Sequence, residues 1–142
     1  MTTHRRSDRG IAALEFALIA PILIALVLGA VEYGERYRTK AMYGTAAQVA
    51  ARSYSLTNSA GSATAAARSA GIPSSVTPTY SFAFDSGSSA SSCSPAADGT
   101  YPNVTVTITR TGIPAVTTMS TVIPGAGSTY SIIGRAVARC QV

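Results

Sequence analysis

The run Ile11–Val31, IAALEFALIAPILIALVLGAV, is 21 residues long, and twelve of them are Leu, Ile, Val or Phe. As an α-helix it rises about 31 Å, the hydrocarbon thickness of a bilayer. Large apolar residues near the centre of a span contribute about −0.3 to −0.6 kcal/mol each, against at most about +3 kcal/mol for the one acidic residue, Glu15. Insertion therefore wins. Pro21, in mid-run, removes one backbone hydrogen bond and predicts a kink, not a break, because neighbours and local adjustment satisfy the freed carbonyl. Ala13 with Ala17, and Ala25 with Gly29, are four apart. That spacing lets a second helix approach closely, or it reflects only how common small residues are in such spans.

With about 20 residues spent on an anchor, the 142-residue chain has room for one modest further domain. Charged residues make up only 12% and Trp is absent, while Ser, Thr, Ala and Gly abound, a composition suited to export. The net charge of +5 is spread out: +2 ahead of the apolar run and +3 over the rest of the chain, Glu15 included. Beyond Lys40 the basic residues Arg52, Arg68, Arg110, Arg135 and Arg139 are scattered. They form no clustered footprint for a nucleic acid.

The two cysteines, Cys93 and Cys140, lack zinc spacing, and His4 lies on the other side of the anchor. A disulfide is the better reading; the alternative is two buried free thiols. A disulfide would close a loop of about 48 residues and contribute roughly 4 kcal/mol in the chain-entropy model. Basic residues tie across the span, with Arg5, Arg6 and Arg9 before it and Arg36, Arg38 and Lys40 after it. The cysteine pair and the Ser/Thr-rich remainder break the tie and place the short N-terminus in the cytoplasm. A cleavable secretory signal fits poorly, because Leu28-Gly29-Ala30 is a weak A-x-A match and the run exceeds a normal h-region.

The most informative junction is RRSDRG followed by IAALEFALIAPIL. A basic leader, residues 1–10, ends at Gly10, the span 11–31 opens at Ile11, and Glu15 lies inside it. An ionisable group in a span is costly and calls for a partner. A cut after Gly10 would supply one, the new amino group of Ile11, in the same chain or a neighbour. Alternatively Glu15, about 6 to 8 Å from the helix end, reaches back to the headgroups.

Gly10, Ile11 and Glu15 resemble the class III signal of type IV prepilins. More closely, Gly10-Ile11-Ala12-Ala13-Leu14-Glu15-Phe16-Ala17-Leu18 with Pro21 resembles the opening of TadE-like proteins, minor pseudopilins of the tight-adherence (Flp, type IVc) pilus system. The resemblance runs from about Arg9 to Tyr33. It implies processing by a prepilin peptidase between Gly10 and Ile11, and assembly contacts at Glu15 and Phe16. It implies as partners other pilin and pseudopilin subunits through the N-terminal helix, and the inner-membrane pilus assembly machinery. It implies a single-pass protein of the bacterial inner membrane with its C-terminal domain in the periplasm, reaching the pilus or cell surface after assembly.

Beyond the span, Glu32 to about Tyr54 is free of proline and rich in Ala, which predicts that the helix continues as a stem. Tyr33, Tyr37, Gly44, Ala47 and Ala51 fall on one face, and Tyr33 also suits an interfacial belt. A second helix is expected over Ser62–Ala70, stopped by Gly71 and Pro73, so that 32–72 is helical. In 73–142, strands are expected at Thr79–Phe84, Asn103–Arg110, Val116–Ile123 and Tyr130–Cys140. The polar loop Ser86–Asp98 lies between the first two, mobile unless Cys93 ties it down. The fold class is thus α+β, pilin-like: a long transmembrane and stem helix carrying a small antiparallel sheet of three or four strands.

No catalytic constellation emerges. The sole histidine is in the leader, Asp85 and Asp98 are the only carboxylates in the strand-rich part, and no G-x-S-x-G is present. No phosphate loop or metal cluster is present either, so no cofactor is expected. Asn103-Val104-Thr105 fits a glycosylation acceptor only as a common three-residue match. The competing reading is a signal-anchored periplasmic or surface binding module, with the loop at Ser86–Asp98 as its contact.

Overall fold

The structure, a computed structural model, describes residues 4–114 and 129–141. Helix α1 spans His4–Thr57 and α2 spans Ala60–Ser69; strands follow at Thr79–Ala83 (β1), Ser89–Ala90 (β2), Asn103–Pro114 (β3) and Thr129–Arg139 (β4). At 54 residues α1 is about 81 Å long. It runs without interruption through Gly10 and Pro21, so no helix boundary separates leader from span.

Two signals end the helices where the chain must turn. Asn58, at φ 47°, adopts the left-handed conformation that Asn tolerates, and its N–H donates to the Tyr54 carbonyl at 2.8 Å. Ser59 then caps α2, its hydroxyl accepting from the Ser62 N–H. At the far end Gly71, at φ 99°, donates to Arg68 O and Ile72 donates to Ala67 O, the paired bonds of a Schellman motif. Its apolar contact is supplied by Ile72 and Ala67, both buried.

The sheet is antiparallel in the order β2-β1-β3-β4. The Val104, Val106 and Ile108 side chains of β3 are fully buried, while the intervening threonines face outward, as the alternation predicts. The short strand β2, inside the serine-rich loop, carries no alternation long enough to announce it. The strand expected at Val116–Ile123 lies outside the described residues. Near the end of β3 the register shifts between Arg110 and Ile113, where Gly112 at φ 71° absorbs one extra residue in β3.

The core forms where the upper half of α1 meets this sheet and α2. Tyr43, Ala46, Ala47, Ala50, Ala51 and Tyr54 bury one face of α1 at the i, i+3, i+4, i+7 spacing. Ala63 and Ala67 of α2 pack against them. Alanines let the two helices close together, and the aromatic ends fill what remains: the Tyr54 ring lies 4.9 Å from Tyr80 and 5.2 Å from Phe82 of β1. Along the stem this face continues downward through Thr39, Arg36 and Glu32, all half-buried. Tyr33 and Tyr37, expected on one face with Gly44, Ala47 and Ala51, stand off the buried stripe, 72% and 66% exposed. The stripe drifts because 3.6 residues per turn carries positions four apart slowly around the helix.

Three contacts show that β4 runs alongside α1 in the same direction. Arg36 stacks over the Tyr130 ring at 4.7 Å, the Tyr43 main chain lies against Gly134, and the Gln141 N–H donates to Ser55 O at 3.0 Å. At Gly134 any Cβ would overlap the Tyr43 carbonyl, so only glycine permits this crossing. Gly134→Val should therefore cost on the order of 1–3 kcal/mol, read as a lower midpoint in thermal or chemical unfolding of the detergent-solubilised chain. Substitution of the exposed neighbour Ile133 by Val should change it little.

Candidate functional site

Helix α1 presents two surfaces of opposite character. From Ile11 to Val31 its large apolar side chains point outward on every side: Ile11, Leu14, Phe16, Leu18, Ile19, Ile22 and Leu26 are all more than half exposed. The most apolar 18-residue window has a mean hydropathy of 2.7, and none of it is buried by the rest of the chain. Exposed apolar surface on that scale is unstable in water and fits a single-pass membrane anchor. From Tyr43 to Tyr54, by contrast, one face of the helix is buried, against the sheet and α2.

Within the anchor, Gly10 and Ile11 lie in continuous helix, and Glu15 follows Ile11 by four residues, placing it one turn higher on the same side. Glu15 and Phe16 are exposed. Pro21 sits inside the helix, six residues above Glu15. A cavity of about 230 Å³ bounded by Leu23, Ile24, Val27 and Leu28 is a groove between side chains of the span, lined almost wholly by apolar atoms.

At the other end of the domain, Cys93 and Cys140 form a disulfide with Cα atoms 5.3 Å apart, both buried. The Cys93 N–H donates to Asn58 Oδ1 at 3.1 Å, and the Cys140 N–H donates to Pro102 O at 3.0 Å. The serine-rich loop is thereby tied to the top of α1 and to the end of β4. Nearby, Asp85 accepts from the Asn103 amide at 2.6 Å, and Asp98 accepts from the Thr100 hydroxyl at 2.6 Å and its N–H at 3.0 Å. The Thr100 side-chain bond, and then its backbone bond, hold the Asp98 carboxyl below the usual carboxylate range. Asp85, Asp98, Thr100 and Arg139 line a shallow cavity of about 150 Å³. Among the described residues no group of three or more His, Cys, Asp or Glu side chains converges.

Several residues that organise the structure were not singled out in the sequence. Glu32 and Arg36, one turn apart, form an ion pair just past the span. Their spacing was visible, but the aromatic that Arg36 stacks on, Tyr130, is 94 residues away in the chain. Gly134 interrupts a strand pattern, the usual mark of a close backbone approach. Asn58 carries no signal beyond its tolerance of the left-handed region.

The architecture defines a class: a membrane-anchored protein whose span continues, as one helix, into the spine of a small α+β domain. Within that class α1 is similar to a known family: the one described as TadE-like protein matches residues 10–52, under a third of the chain. The match opens at Gly10, takes in Ile11, Glu15, Phe16 and Pro21, and runs along the stem to Arg52; the sheet lies outside it. No curated protein and no solved structure matches the chain. TadE-like proteins are pilus-associated and generally structural.

Reduction of Cys93–Cys140 should lower stability by about 4 kcal/mol in the chain-entropy model, because it frees a loop whose ends are 47 residues apart. Denaturant titration with and without a thiol reductant measures this. Cys93→Ser/Cys140→Ser should match the reduced protein and be indifferent to reductant.

Proposed function

We propose that this chain is a minor pseudopilin of a Tad (Flp) pilus system, cut by prepilin peptidase between Gly10 and Ile11 and then built into, or used to prime, the pilus. One observation carries this reading: the TadE-like match begins at Gly10, where a basic leader meets a helix apolar on all sides. Before processing, the chain is held in the bacterial inner membrane, with the leader in the cytoplasm and the α+β domain in the periplasm. Cleavage leaves a cationic amino terminus on Ile11, one helical turn from Glu15.

In hydrocarbon an unpaired carboxylate is expensive, so Glu15 gains most by meeting an ammonium group, its own or that of the next subunit. When two chains lie side by side, that pairing sets how far one is shifted along the other. The span's large exposed side chains, Phe16 among them, then supply the packing surface between helices. Adhesion follows from placing the folded domain at the cell surface or on the fibre.

N-terminal sequencing of the membrane-extracted protein, from cells with active prepilin peptidase, should return Ile11 as the first residue. A chain beginning at Met1, or at Val31 after conventional signal cleavage, would instead indicate the signal-anchored binding module and overturn the proposal. Glu15→Ala should insert and be processed normally but fail to support pilus formation. Fibre counts by electron microscopy, beside membrane fractionation of the same cells, test this, and normal piliation would remove Glu15 from the mechanism.

A further inference from the structure

We infer that the α+β domain rests on the lipid headgroups of the leaflet from which the stem emerges, using the membrane-proximal end of β4 and the first two turns of the stem as the contact. The inference depends on the span at 11–31 being in a bilayer. It does not depend on cleavage or on incorporation into a fibre.

Height above the span sets the posture of the domain. Val31 ends the apolar run, and Arg36 stands five residues, or about 7.5 Å, above it. The headgroup layer on each side of the hydrocarbon is of about that thickness. Arg36 is not a stem residue standing alone. It pairs with Glu32 and carries the Tyr130 ring at 4.7 Å, so the first residues of β4 are fixed at the level of the headgroups. Because β4 runs alongside α1 in the same direction, Tyr130 belongs to the lowest described part of the strand and the disulfide to its top. A domain attached higher on the helix would leave water beneath it; this one has no stem to spare.

The chemistry of that level suits a lipid surface. Tyr33 and Tyr37, off the core face and mostly exposed, are the residue type that sits at the boundary of hydrocarbon and water. Among the described residues, Arg38 and Lys40 have no acidic partner within salt-bridge distance. They lie about 10 and 13 Å above Val31, and helical side chains lean toward the helix N-terminus, here toward the bilayer. Long basic side chains in that position reach phosphate oxygens. Between Gly29, Glu32, Tyr33 and Arg36 a cavity of about 240 Å³ opens at the same depth.

The chain contains no Trp, so single Trp substitutions report depth without background. The full-length protein is reconstituted in phosphatidylcholine vesicles, with and without phosphatidylglycerol, using lipids that carry a headgroup nitroxide quencher. Three variants are compared: Tyr33→Trp at the stem base, Tyr130→Trp at the lower end of β4, and Val137→Trp about 23 Å further along the strand. Circular dichroism confirms that each is folded.

Strong quenching is expected at positions 33 and 130, several-fold above that at 137. It should rise at 130 when phosphatidylglycerol is added, a rise abolished by Arg38→Gln/Lys40→Gln. Quenching at 33 with none at 130 would overturn the inference while leaving the anchor intact, and no quenching at 33 would instead overturn the anchor itself. Equal quenching at 130 and 137 would mean that the domain lies on its side and would also overturn the proposed posture. Quenching at 130 indifferent to phosphatidylglycerol would overturn the role of Arg38 and Lys40.

Discussion

Everything in this molecule depends on one helix serving two solvents. Between Ile11 and Val31, α1 must satisfy its backbone internally and offer lipid an apolar surface on all sides, which its sequence does almost without interruption. A few turns later the same rod must offer water one face and a protein core the other. The transition takes place over Glu32–Thr39, where half-buried polar residues occupy the face that alanines take over above. With no loop at that point, the folded domain inherits its position from the span.

The domain is small, and its core shows how such a domain holds together. Alanines at four positions of α1 and two of α2 bring backbones close, at the cost of burying little area per residue. Val104, Val106, Ile108 and the three rings of Tyr54, Tyr80 and Phe82 restore some of it. Closure at the two ends completes the unit: an ion pair and a stacked ring at the base, a disulfide and a main-chain bond from Gln141 to Ser55 at the top. The serine-rich loop would otherwise have little to bury. Cys93 and the Asn58 carboxamide hold it at two adjacent bonds.

Local order was well written in the sequence. The apolar run, the alanine-rich stem, the Gly71–Pro73 stop and the Val/Ile alternation of β3 each follow from a period or a cap, and the structure has an element at each. What was not legible is what arises only when distant segments meet. A 100° step groups Tyr33 and Tyr37 on one face with Ala47 and Ala51, yet the sheet covers the neighbouring strip of surface, through Arg36 and Tyr43. Only the position of β4 decides between two strips so close. Strand β2 has two residues, too few for a period to register. For the site, Gly10, Ile11 and Glu15 stood out because charge and glycine flank an apolar run, whereas Arg36 and Tyr130 share nothing in sequence that would pair them.

Glu15 and Tyr33 are 18 residues apart, which is five whole turns of an α-helix, so the two side chains leave the rod at the same azimuth. The face that carries the sheet, through Arg36, Tyr43, Ala50 and Tyr54, lies about a quarter turn away. An uninterrupted rod transmits this angle as well as height. Any neighbour that approaches Glu15 in the membrane therefore meets the tyrosine side of the stem above it, with the sheet displaced always to the same hand. Handedness in an assembly of such chains would then be set by rotational phase along a single helix.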